Sequence, residues 1–159
     1  MVGHSFGGRV AIKLAATRPE LVQGLVLVNS AGIRPRASLR RALAVWRYKR
    51  AKRQGRSVSA FGSDDYKRLS GAMRSTFVAV VNEDVRGVLG CVKCPTLVIT
   101  GDRDRETPPW MARIIARKIK GARLVELKGA GHFSYLDLPN ATRRAIAAWQ
   151  EENLCLSQE

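Results

Sequence analysis

Gly3-His4-Ser5-Phe6-Gly7 is a G-x-S-x-G sequence at the start of a 159-residue chain. That spacing belongs to a nucleophile elbow, a sharp strand-to-helix turn that holds a serine Oγ exposed above a parallel sheet. A serine hydroxyl attacks poorly near neutral pH unless a base removes its proton, so a serine site also needs an imidazole and a group to orient it. The chain has two histidines, His4 and His132, and a pair of aspartates in Gly101-Asp102-Arg103-Asp104. A chain of this length carries G-x-S-x-G by chance roughly one time in twenty, so the motif's weight depends on the elements around it.

Those elements read as alternating strand and helix. Residues 5–17 predict a helix, with Val10, Leu14 and Ala15 at helical spacing and small residues among them, ended by Arg18-Pro19. Residues 24–29 are a short continuous apolar run, the pattern of a parallel strand buried on both faces. The same pattern returns at residues 95–100, ending at Gly101. Pro108 and Pro109 then start a helix with Met111, Ile114, Ile115 and Ile119 on one stripe, closed by Gly121. Residues 122–127 predict another strand, followed by Lys128-Gly129-Ala130-Gly131-His132, and residues 140–151 predict a terminal amphipathic helix. Only Met1 and Val2 remain to form the strand that feeds the elbow.

These motifs, in this order at the ends of predicted strands, resemble the α/β-hydrolase superfamily over essentially the whole chain. Gly3 to Gly8 looks like the elbow, Gly101-Asp102-Arg103-Asp104 like the acid turn, and Gly129-Ala130-Gly131-His132-Phe133 like the histidine loop. The order serine, acid, histidine is also the family's. The resemblance implies an α/β fold, the C-terminal portion of an α/β-hydrolase parallel sheet with flanking helices and an inserted helical cap. It implies a serine hydrolase in which Ser5 is the nucleophile and His132 the base. Asp104 is the orienting acid and Asp102 its competitor on the same turn. The Phe6 backbone N–H is one oxyanion donor, and Gly3 and Gly7 are the elbow glycines. His4, at the variable position of the elbow, is expected to pack.

By the same resemblance the chain is expected to be the C-terminal part of a longer hydrolase. The family's first four strands, most of its fifth and the loop carrying a second oxyanion donor have no counterpart in it. An open flank on the strand at residues 24–29 and an unpacked face on the first helix are expected. The expected divisions are 1–32 for the elbow part of the core, 33–89 for a helical cap and 90–159 for the part carrying acid and histidine.

Charge is concentrated in the middle segment. The chain has 28 Lys and Arg against 13 Asp and Glu, a formal net charge of +15. Ten basic residues and no acidic one fall within residues 34–56. Ser38 can cap a helix with Leu39, Ala42, Leu43 and Trp46 on one face and arginines on the other, and Ser63 opens a second helical pattern through Leu69 and Met73. Residues 76–81 are read as helix. A solvated charged face is the simpler reading of the basic helix, 38–53, and binding to an anionic membrane surface the alternative. No stacking platform or groove-reading motif accompanies the charge, so nucleic acid is not an expected partner.

Three cysteines, an odd number, argue against a disulfide framework, and Cys91-Val92-Lys93-Cys94 lacks the second pair or histidines that zinc requires. Neither a metal nor an organic cofactor is expected. With no signal-like N-terminal stretch and no apolar run of membrane-spanning length, a cytoplasmic location is expected. The expected function is hydrolysis of an ester, thioester or related small-molecule acyl substrate. The alternative is a non-catalytic binding protein that keeps the fold.

Overall fold

A computed structural model of the chain describes residues 1–34 and 82–153, together with Trp46, Arg50, Gly71, Met73, Ser75 and Ala79. The chain divides into two compact units, one of Met1–Ile33 with Asp84–Glu159 and the other of Arg34–Glu83. In the second unit Trp46, Arg50, Gly71, Met73, Ser75 and Ala79 are helical, and the Arg50 guanidinium lies 5.3 Å from the centre of the Trp46 ring. The rest of the segment 38–53, the helical pattern from Ser63 to Leu69 and, apart from Ala79, the assignment of residues 76–81 lie outside the described residues.

The first unit is built on four parallel strands in the order β1-β2-β3-β4: β1 Val2–His4, β2 Leu25–Val28, β3 Thr96–Gly101 and β4 Arg123–Leu127. Helix α1, Ser5–Thr17, follows β1, and α2, Pro109–Lys118, joins β3 to β4. A short α3, Ser134–Asp137, precedes the terminal α4, Pro139–Asn153. Every residue of β2 and β3 is buried because both faces of the sheet are covered. On one face Leu25, Leu27 and Val98 join Ile12 and Ala15 of α1 and Ile115 of α2 in a core that also takes in Ile33, Val85 and Leu89. On the other, Val26, Val28, Leu97 and Ile99 pack with Trp149 of α4.

The feeding strand is longer than expected. Val2, Gly3 and His4 pair with Val26, Leu27 and Val28, so β1 covers the flank of β2 that was expected to lie open. β1 is therefore the edge strand on that side of the sheet, with Val2 65% exposed. The buried face of α1 also differs from the expected stripe. Ala11, Ile12 and Ala15 are buried while Val10 is half exposed, because α1 seats on β2 through its small residues. The connector before β3 forms two 3-10 turns, Val85–Gly87 and Leu89–Cys91. Cys91 and Cys94 are free thiols. Among the described residues no helix is long and apolar enough to cross a membrane.

Candidate active site

Ser5 is the first residue of α1 and takes φ of 48°, a left-handed conformation that a side-chain-bearing residue adopts at a cost of about 1–2 kcal/mol. Close packing enforces that turn. A methyl on Gly3 would stand 2.8 Å from both the Gly7 carbonyl oxygen and the Gly8 Cα, so only glycine lets β1 pass so near the first helical turn. A methyl on Gly8 would collide with Ser30 Oγ and stand 2.7 Å from its Cβ, which is why helix and strand end approach so closely there. At Gly7 it would meet open space, so the second letter of the motif is not sterically required in this structure. The Ala31 N–H donates to the Ser5 carbonyl at 2.9 Å and closes the turn against the end of β2.

Asp104 lies just past β3 and is 3% exposed. Its Oδ1 accepts from the N–H groups of Glu106 at 2.8 Å and Thr107 at 2.9 Å. Its Oδ2 accepts from Thr107 Oγ1 at 2.6 Å, Asn29 Nδ2 at 2.7 Å and His132 Nδ1 at 2.9 Å. Burial alone would push this carboxyl up. Donation from Thr107, His132, the Thr107 backbone and Asn29 outweighs it and holds Asp104 below the usual carboxylate range. It is therefore an anion at neutral pH. Asp102, its competitor, is turned elsewhere: its Oδ1 accepts from the Gly129 N–H at 2.7 Å and so fixes the turn after β4.

The histidine loop is clamped against the acid turn. Gly101 has no room for a side chain, since a methyl there would collide with the Ala130 carbonyl, and the Arg103 N–H donates to that same carbonyl at 2.9 Å. The Gly131 N–H donates to Asp137 Oδ2 at 2.7 Å. Held in this way, His132 places Nε2 3.0 Å from Ser5 Oγ while Nδ1 faces Asp104. A carboxylate only accepts, so the Nδ1 proton lies toward Asp104 and Nε2 is left bare to receive the serine proton. Glu106 Oε2 stands 3.4 Å from Nε2, but its side chain is 69% exposed and open to solvent screening.

The geometry brings Ser5, His132 and Asp104 into one hydrogen-bonded line. Phe6 follows Ser5 in the first turn of α1, where backbone N–H groups have no intrahelical acceptor. Two contributors were missed by sequence reasoning. Asn29, fully buried with φ of 45°, donates to Asp104 and to the Gly131 carbonyl, and its Oδ1 accepts from Ser134 Oγ. Thr107 is the second, and its only signal is its place three residues after Asp104, where a carboxylate can accept from the backbone of its own turn. His4 does pack, against Phe133 and Tyr135, but its Nε2 also lies 3.0 Å from the His132 carbonyl oxygen.

Parallel strands alternating with helices, and a serine on a strand-to-helix elbow facing a histidine and an aspartate from later strand ends, define the α/β-hydrolase fold. The chain belongs to the alpha/beta hydrolase family, whose sequence profile matches residues 1–145. It is 28% identical to a pimeloyl-[acyl-carrier protein] methyl ester esterase of Neisseria meningitidis, over 86% of this chain and 63% of that protein. It is 30% identical to a strigolactone esterase of Arabidopsis thaliana, over 87% of this chain and 60% of that protein. Among solved structures, a hydrolase from Pseudomonas aeruginosa PA01 superposes with a TM-score of 0.62 at 27% identity, over 93% of this chain and 63% of that one. The chain thus spans less than two-thirds of the length of these relatives.

Proposed function

We propose that the chain carries the nucleophile, base and acid of a serine hydrolase acting on an ester, thioester or related acyl bond. The observation that carries this reading is the line from Ser5 Oγ to His132 Nε2, at 3.0 Å, and from His132 Nδ1 to Asp104 Oδ2, at 2.9 Å. Ser5 Oγ attacks the acyl carbon as its proton passes to Nε2. Asp104 holds the imidazole in the productive tautomer and stabilises the imidazolium. The Phe6 N–H is one donor to the oxyanion. His132 returns the proton to the leaving alcohol or thiol, and a water activated by the same Nε2 then releases the acid. The esterase names carried by the Neisseria and Arabidopsis relatives support an ester as the bond cleaved.

The test is hydrolysis of short-chain p-nitrophenyl esters and acyl thioesters by the chain and by Ser5→Ala. Turnover above background that disappears in Ser5→Ala is expected. Equal rates in the two proteins would refute the assignment of the nucleophile.

A further inference from the structure

The serine and its base come from opposite ends of the sheet. Ser5 follows β1 and His132 follows β4, the two outermost strands of the order β1-β2-β3-β4. β1 and β4 do not pair directly, so ties across the top of the sheet add to the strand ladders in setting the gap between Ser5 Oγ and His132 Nε2. Asp104 restrains the ring of His132 through Nδ1 but not its backbone. Among the described residues, the tie on that backbone carbonyl comes from His4, the residue immediately before the nucleophile.

The His4 ring is half buried and lies in a small aromatic stack. Its centroid is 4.9 Å from that of His132, 5.3 Å from Phe133 and 5.2 Å from Tyr135, the last edge-on. These contacts fix the plane of the ring. Its Nε2 points at the His132 carbonyl oxygen at 3.0 Å, and a carbonyl only accepts, so Nε2 carries the proton and donates. His4 makes no side-chain bond to the start of α1. Its polar end is committed to the histidine loop.

We propose that His4 is a positioning residue, a clamp from the elbow to the backbone of His132 that sets the distance between the serine hydroxyl and its base. The clamp acts on the pair read above as nucleophile and base, so its kinetic test rests on that reading. Two variants separate the ring from its donor. His4→Phe keeps an aromatic body against Phe133 and Tyr135 and loses the N–H, whereas His4→Gln keeps an N–H at similar reach and loses the ring.

The experiment measures two quantities on the 159-residue chain: the second-order rate of covalent labelling of Ser5 by a fluorophosphonate, and solvent exchange of the low-field proton on His132 Nδ1. Misplacing a reacting pair by about 1 Å can cost on the order of 100-fold. Labelling of His4→Phe is therefore expected to slow by about ten- to a hundredfold, with His4→Gln recovering most of the loss. The Nδ1 proton is expected to exchange faster in His4→Phe than in wild type or His4→Gln. If His4→Phe does not fold, the smaller His4→Leu takes its place. Wild-type rates and exchange in the variant lacking the donor overturn the proposal, as does a His4→Gln protein no better than His4→Phe. A folded wild type that does not label removes the hydrolase reading, and exchange of the Nδ1 proton across the three proteins then decides the clamp by itself.

Discussion

Replacing Asn29 with alanine removes a side chain that ties the end of β2 to both the acid turn and the histidine loop. Three bonds are lost in a fully buried place: Nδ2 to Asp104 Oδ2 at 2.7 Å, Nδ2 to the Gly131 carbonyl at 3.2 Å, and Ser134 Oγ to Oδ1. A hydrogen bond to an ionised group contributes about 1.5–3 kcal/mol and a neutral one about 0.5–1.5 kcal/mol. The φ of 45° adds on the order of 1 kcal/mol against alanine. Coupled bonds do not add fully, so the expected loss is about 3–5 kcal/mol. Urea unfolding at pH 7 followed by circular dichroism measures it. Asn29→Gly is the companion: it loses the same bonds without the Cβ penalty and should be about 1 kcal/mol more stable than Asn29→Ala, reversing the usual order of those two residues. The loss also depends on pH. Asp104 sits below its unfolded value, so it adds stability that is present above the unfolded carboxylate range and is lost as pH falls through the folded value. Removing the Asn29 donor raises the folded value, so the penalty is fullest at neutral pH and shrinks below about pH 4. A penalty under about 1 kcal/mol, or glycine worse than alanine, would refute the reasoning.

Three further substitutions probe the same architecture. Gly8→Ala forces a methyl into Ser30 and is expected to cost about 1–3 kcal/mol. Gly7→Ala, facing open space within a helix, should be neutral or stabilising by up to about 1 kcal/mol. Thermal melts of the pair check this, and equal behaviour would contradict the packing account. Thr107→Val deletes the 2.6 Å hydroxyl donor to Asp104 at nearly constant volume, with an expected loss of about 1.5–3 kcal/mol at pH 7 that diminishes in acid. Urea unfolding at both pH values checks it, and a pH-independent loss would place the effect elsewhere.

What was legible in the sequence was local. Each of the three chemistry-bearing motifs sits beside its own strand, and the strands announce themselves as apolar runs because both faces of the sheet are covered. The order of Ser5, Asp104 and His132 follows from that. What escaped depends on partners far along the chain. Asn29 looked like the end of a strand, but its side chain answers to residues 75 and 102 positions away. G-x-S-x-G weights Gly7, whereas the close approach falls on Gly8 because Ser30 stands opposite it, and no local pattern tells the two apart. The face of α1 was misjudged at Val10 because Gly8, Ala11 and Ala15 share its buried face with Ile12, which leaves one bulky apolar residue to mark the stripe. The four residues of α3 are too short to show any period.

The central claim is that Ser5 is activated by His132. Labelling with a fluorophosphonate, with the modified peptide located by mass spectrometry, tests it most directly. The account predicts one adduct per folded chain, on Ser5, absent in Ser5→Ala and slowed by about ten-thousandfold or more in His132→Ala. A folded chain that takes no adduct, or that labels equally well without His132, would contradict it.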